Sequence, residues 1–324
     1  MIRELTWIAA VVSAGLVWSG SSAHSQNYPA QSIRIVVSSS PGGPNDTVAR
    51  LASQILSKLG QPVVVENRAG AGGALAAREV AAAKPDGYTL MVGNTSTMAV
   101  IPEMQAKPGY DSLNDFAPVA RFWESYQLLV VHSSSPWKTA KDLIDAAKAE
   151  PGKFTYAHTG PGGSPHLSSE LFQARAGIKL VPVPYRSGGE LATAVLTQAT
   201  DTSIGDFAAM IPLIREGRLR ALAVTSGART PLAHEIPTMV EAGVPDYDVT
   251  TFFGIVAPAG TPDDVVRMLN TTLNEGLKTS EAQALIQRIG VVSHPGTPQE
   301  FAAFIAAKRQ QWGAAVKAIG AKAY

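Results

Sequence analysis

No cysteine occurs among the 324 residues. That excludes disulfides, thiol nucleophiles and cysteine-ligated metals, and a chain of this length can bury enough core to fold without such staples. Charge is scarce as well. Only 16% of residues are charged, and 27 basic side chains face 26 acidic ones for a net charge of +1. No long run of one sign appears, so neither nucleic acid nor an anionic membrane surface is the main partner. The sequence has no G-x-x-x-x-G-K-[ST], no G-x-G-x-x-G and no H-E-x-x-H, the short signatures of phosphate, dinucleotide and zinc sites. No cofactor is expected.

What the chain does have is apolar content, 45% of its residues, which predicts a substantial core and little disorder. Its N-terminus stands apart. Arg3 precedes a mostly apolar stretch over residues 5–18, followed by the small residues of "SGSSAHSQ". This is the layout of a cleaved secretory signal peptide over residues 1–25, with cleavage after Ala23 or Ser25 and the periplasm as destination. The apolar stretch is too short for a membrane anchor.

Beyond Tyr28 the pattern alternates strand and helix. "IRIVV", "VVVE" and "TLMVG" read as strands, each followed by a polar or glycine-rich loop and a helix; "YQLLVVH", "FTYAH", "LVPVPY", "TSIGDF" and "RALAVTS" open a second series. Such repetition predicts parallel βαβ units with covered faces. "VTTFFGIVAPAGTP" then returns as a strand, and helices follow over residues 262–278, 281–289 and 299–319. The simplest architecture is two α/β domains, residues 26–124 plus 250–324 and residues 125–249. Short strands acting as hinges join them near 122–127 and 246–251.

In an open parallel sheet, ligands bind beyond the carboxyl ends of the strands. The loops there are residues 38–46, 94–97, 159–166, 186–189 and 205–207, all rich in small polar residues and glycine. Two share a design, PGGPND at 41–46 and PGGSPH at 161–166. One PGG is ordinary turn chemistry. Five such loops in two domains together predict a cleft, in which Gly42 and Gly43 expose backbone donors and Asn45 or Asp46 caps the helix beside them. A hydrolase using Ser164 with His166 and Asp206 is the enzymatic alternative, weakened because Ser164 sits in no G-x-S-x-G elbow. His166 reads better as a cap or supporting group, and Tyr185-Arg186 as either a solvated strand end or a cleft cation. Trp123, Trp137 and Trp312 read as packing.

"PGGPNDTVARLASQILSKLGQPVVVENRAGAGG", "KPDGYTLMVG", "DFAPVARF", "LRALAVTS", "IPTMVEAG" and "FFGIVAPAGTP" together resemble the Bug-type, TctC-like solute receptors of tripartite tricarboxylate transporters. The resemblance implies an α/β two-domain periplasmic binding protein (type II-like, Venus flytrap), each domain a mostly parallel sheet flanked by helices. It implies a monomer without catalysis that closes on a small organic acid and presents it to a membrane permease, or a receptor serving a sensor system. Carried over, the first-domain site is Ser40, Gly42, Gly43, Asp46, Asn94, Thr95 and Ser96. The second-domain site is Gly160, Gly162, Gly163, Ser164, His166, Tyr185, Arg186, Gly188 and Asp206. Serines 38–40 replace bulkier residues of the family, Gly163 a hydroxyl, Arg186 a lysine, and Gly205-Asp206 an Asp-Asn pair. These departures imply a more open cleft with one more polar wall.

Overall fold

The computed structural model describes residues 28–160, 163–185 and 187–318. The proposed signal segment, Gly162 and Arg186 lie outside them. The first series of elements is β1 (Ile33–Val37), α1 (Pro44–Leu56), β2 (Val63–Asn67), α2 (Ala74–Ala81), β3 (Thr89–Asn94), a π-helical turn (Ser96–Val100) running into α3 (Ile101–Met104), and β4 (Phe116–Ser125). The second is β5 (Gln127–His132), α4 (Ala140–Ala149), β6 (Thr155–His158), α5 (Ser164–Ala176), β7 (Val181–Pro184), α6 (Gly188–Leu196), β8 (Thr202–Asp206), α7 (Phe207–Arg215) and β9 (Leu219–Val224). The chain then returns as β10 (Thr251–Pro258), α8 (Asp263–Leu277), α9 (Ser280–Ile289), β11 (Val292–Ser293) and α10 (Pro298–Ala318).

Two sheets result. The six-stranded one has the order β11-β4-β10-β3-β1-β2 and the five-stranded one β7-β6-β8-β5-β9. Apolar β1, buried except at Arg34, runs parallel between β2 and β3, with Ile35 opposite Val65 and Leu90. Such a strand needs both faces covered. β7 carries two prolines, which cannot donate to a ladder, and accordingly sits at an edge.

The sheets are mixed rather than mostly parallel. Parallel pairing holds for β1–β2, β1–β3, β6–β7 and β6–β8, where a helix carries the chain back to the starting end. β10 runs antiparallel to β3 and β4, and β5 antiparallel to β8 and β9, because these strands carry the chain between sheets and enter from the opposite end. One residue, Tyr126, separates β4 from β5. The carboxyl ends of β1, β3, β6 and β8 consequently all face the region where the sheets meet.

Cores form on both faces of each sheet. α1, α8 and α9 cover one face of the first sheet, and α6 and α7 one face of the second. A third cluster runs from α2 and α10 through Tyr247 and Phe252 to α4 and α5, so apolar packing is continuous between the lobes. Among the described residues no helix is long and apolar enough to cross a membrane, and no group of three His, Asp or Glu side chains could hold a metal.

Candidate functional site

The first Pro-Gly-Gly corner is held from below. Gly42 has φ +86°, a backbone conformation that favours glycine, whereas Gly43 is extended at φ −85°, ψ 176° and forms the N-cap of α1. No side chain caps this helix. The expected cap, Asp46, is instead buried and reaches back: Oδ2 accepts from the Gly42 amide at 3.0 Å and from Arg50 Nε at 2.7 Å, and Oδ1 from Asn67 Nδ2 at 3.2 Å. The Arg50 guanidinium, aided by these amides, holds the carboxyl below the ordinary carboxylate range. Gly42 is therefore not a free donor. The amides of Gly43, Asn45 and Asp46 have no acceptor among the described residues, as expected of a first helical turn.

Asn94 and Thr95 are committed inside the lobe. Asn94 Nδ2 donates to Ser38 Oγ at 3.1 Å and to Asn45 Oδ1 at 2.9 Å, while its Oδ1 accepts from the Thr97 amide. Thr95 Oγ1 accepts from the Phe252 amide at 2.8 Å, tying β3 to β10, and Ser96 Oγ donates to the Gly72 carbonyl. Ser40 is exposed.

In the second lobe, Gly160 at φ +93° donates to His158 Nδ1, and the Gly163 amide closes the turn onto the Gly160 carbonyl at 3.2 Å. A Cβ at Gly163 would lie 2.7 Å from Thr159 Oγ1, so the hydroxyl residue usual in the family does not fit this turn as it stands. The His158 and His166 rings meet at a tilt of 48° with centroids 4.8 Å apart. Burial, reinforced by His158, pushes the His166 imidazole below its usual range. Ser164 Oγ and His166 Nδ1 are both buried and make no hydrogen bond, so no Ser-His relay exists. Tyr185 is half-buried, its amide donating to the His158 carbonyl.

Gly42, Gly43, Gly188 and Asp206 meet around one cavity of about 310 Å³. It lies where α1, α6 and α7 begin. Its floor is a two-by-two patch on neighbouring strands, Trp123 opposite Phe253 and Ser125 opposite Thr251. Ile289 and Val291 close one side, and Thr47, Ala208 and Ala209 complete it. Asn94, Thr95, Ser96, Gly160, Ser164, His166 and Tyr185 do not line it. Larger hollows of about 470, 430 and 600 Å³ lie between α1 and α9, against α10 and beside α4, away from the strand ends.

Asp206 is the sole ionisable side chain among the described residues of the lining. It occupies the N-cap of α7 without bonding that helix's amides, and its Oδ2 would lie 3.3 Å from a Cβ built on Gly188, at the start of α6. Burial pushes its carboxyl above the ordinary range. The nearby Gln127 side chain pulls it partly back, but Gln127 Nε2 is buried without an aligned acceptor.

The expected polar wall is absent from this lining, whose described residues are mostly apolar. Residues of the floor escaped the sequence reading, although Trp123 and Ser125, and Thr251 and Phe253, alternate along their strands as residues of one face do. Trp123 is only 1% exposed and packs as expected, yet its edge also reaches the cavity.

The sequence profile of the tripartite tricarboxylate transporter family receptors matches residues 48–321. Protein BugT of Bordetella pertussis is 34% identical over 98% of this chain and 99% of its own. Among solved structures, Rpa4515 of R. palustris with adipate is 33% identical with a TM-score of 0.78, covering 91% of this chain and 99% of that one. MatC from Rhodopseudomonas palustris with bound malate is 31% identical with a TM-score of 0.76, covering 89% and 100%. These relatives are receptors, not enzymes. With profile, length and fold in agreement, the chain belongs to the tripartite tricarboxylate transporter receptor family of periplasmic solute-binding proteins.

Proposed function

We propose that this receptor works in the periplasm after loss of residues 1–25, capturing a small carboxylated solute between residues 26–124 with 250–324 and residues 125–249. Closure of the two lobes then presents it to a membrane permease of the tripartite tricarboxylate type. The observation that carries this reading is the 310 Å³ cavity at the starts of three helices, reached by glycines from both lobes. Unpaired first-turn amides and the positive end of the helix dipole favour an anion there. Contacts to both lobes are what make closure follow binding, because a solute held equally by the open and closed forms shifts nothing. Gly43, Gly188 and Asp206 face the solute; Asp46 and Asn94 hold the loops in place.

Gly43→Pro tests the amide donor directly. Its backbone angles suit proline, it precedes a proline already, and an added Cβ meets nothing closer than 3.9 Å. The substitution removes one amide donor, and an unchanged circular dichroism spectrum and melting temperature check that the turn tolerates a proline after Gly42 at φ +86°. A hydrogen bond to a charged group contributes about 1.5–3 kcal/mol, so carboxylate affinity measured by calorimetry falls roughly ten- to a hundredfold. Unchanged affinity in a folded variant refutes the role of this corner. A panel in which no carboxylate raises the melting temperature refutes the receptor reading itself, since ligand at a hundred times Kd adds about 2.7 kcal/mol.

A further inference from the structure

Accepting the receptor reading above, the second-lobe wall limits what kind of acid fits. A dicarboxylate needs two stations for negative charge. One is available where α1 begins, with the amides of Gly43, Asn45 and Asp46 unpaired. The corresponding place in the second lobe, between the starts of α6 and α7, is already filled by the carboxyl of Asp206. A second ligand carboxylate brought there would have to share a proton with Asp206 or lie against a like charge in a half-buried setting, where repulsion is weakly screened. A hydroxyl or ammonium would instead give the Asp206 carboxyl an aligned donor, which it lacks among the described residues, Gln127 Nε2 being near but unaligned. Between the two stations lie Trp123, Phe253, Ile289 and Val291, surfaces suited to hydrocarbon or an aromatic ring rather than to further polar groups.

We infer that this receptor selects a monocarboxylate with an apolar or aromatic body and a hydrogen-bond donor at its far end, the carboxylate lying at the start of α1 and the donor on Asp206. The nature of the far group is what separates it from a dicarboxylate receptor of the same fold. Asp206 is thus the specificity-determining residue, and burial of its carboxyl is relieved only when a donor arrives.

Matched pairs test this at pH 8 by calorimetry on the mature protein: 6-hydroxyhexanoate against adipate, and 4-hydroxybenzoate against terephthalate. The expected result is that at least one hydroxy acid binds ten times or more tighter than its dicarboxylate partner. Asp206→Asn, which keeps the side-chain shape and can itself donate to a carboxylate, is expected to reverse that preference. Adipate or terephthalate binding as tightly as its hydroxy partner in the wild type overturns the inference while leaving the receptor reading intact. A preference that is unaffected in folded Asp206→Asn also overturns it. Failure of every acid to bind overturns both readings, and only that outcome does.

Discussion

At the scale of single residues, the glycines of the first corner and the acid beneath them divide the work. Gly42 supplies the left-handed turn and gives its amide to Asp46, while Gly43 keeps an amide free. This corner is legible in the sequence, but with Asn45 or Asp46 as its helix cap, whereas neither caps α1 and Asp46 clasps the loop. A cap and a back-reaching clasp use the same residue type within a few positions of a helix start, and only the path of the loop separates them. Asp46→Ala removes the clasp, leaving the Gly42 amide without its acceptor and the Asn67 amide with only the Ser39 carbonyl. It is expected to destabilise the protein by about 2–3 kcal/mol, read as a lower urea midpoint at pH 7. The sign with pH follows from the depressed carboxyl. Its contribution is complete above the ordinary aspartate range and disappears as pH falls through its folded-state value, so variant and wild type converge in acid. A difference that stays constant to low pH would show that the charge of Asp46 is not what matters.

At the scale of elements, the βαβ alternation was legible because each strand is an apolar run and each helix an apolar stripe bounded by glycine, proline or a capping residue. Thr139 and Asp142 form a full capping box at α4, and Gly60 at φ +91° ends the turn after α1. Direction was not legible. β10 carries the same apolar signal as the parallel strands, whereas β4 is interrupted by Pro118, Arg121 and Glu124, and nothing local to β4 marks it as a partner of β10, more than a hundred residues away in the chain. The cavity floor is a product of that pairing, which is why its four residues went unseen. Close approach of helices was equally hidden. Gly276 in α8 faces Ile55 of α1, where an added Cβ would lie 2.4–2.7 Å from three side-chain atoms. Gly276→Ala therefore has to push the helices apart, at a cost of about 1–3 kcal/mol. Ile55→Ala alone leaves a cavity. Combined with Gly276→Ala it is expected to cost less than the sum of the two single changes. Strict additivity in thermal or urea melts would show that these two side chains do not meet.

At the scale of the molecule, two crossings side by side join the lobes, and they are bonded to each other as well as to their sheets. Gln127 and Thr225 exchange bonds, Val249 donates to the Thr225 carbonyl at 2.7 Å, and Thr251 Oγ1 donates to the Ser125 carbonyl at 3.3 Å. α10 adds a brace, with Gln311 donating to the Asp248 carbonyl and Lys308 Nζ 3.7 Å from the Asp248 carboxylate. A second acid at this joint is Glu124 near the end of β4, bonded by Thr250 Oγ1 at 3.0 Å and 3.1 Å from His294 Nε2. Burial alone would raise its carboxyl, but the His294 imidazole, the charge of Lys308 and the Thr250 hydroxyl outweigh burial and hold it below the usual glutamate range. A depressed carboxyl means that the unfolded chain binds more protons. The joint's contribution is therefore intact above the ordinary glutamate range and is lost as pH falls through the folded-state value. Glu124→Gln keeps the shape and an acceptor for Thr250 but ends the attraction to His294 and Lys308. It is expected to cost about 1–3 kcal/mol at pH 7 and progressively less toward pH 3. Asp46 and the other depressed carboxyls titrate in both proteins, so the difference between paired urea melts isolates Glu124. If that difference does not shrink in acid, Glu124 contributes shape and not charge, and the joint rests on packing and on the other hydrogen bonds between the crossings and α10.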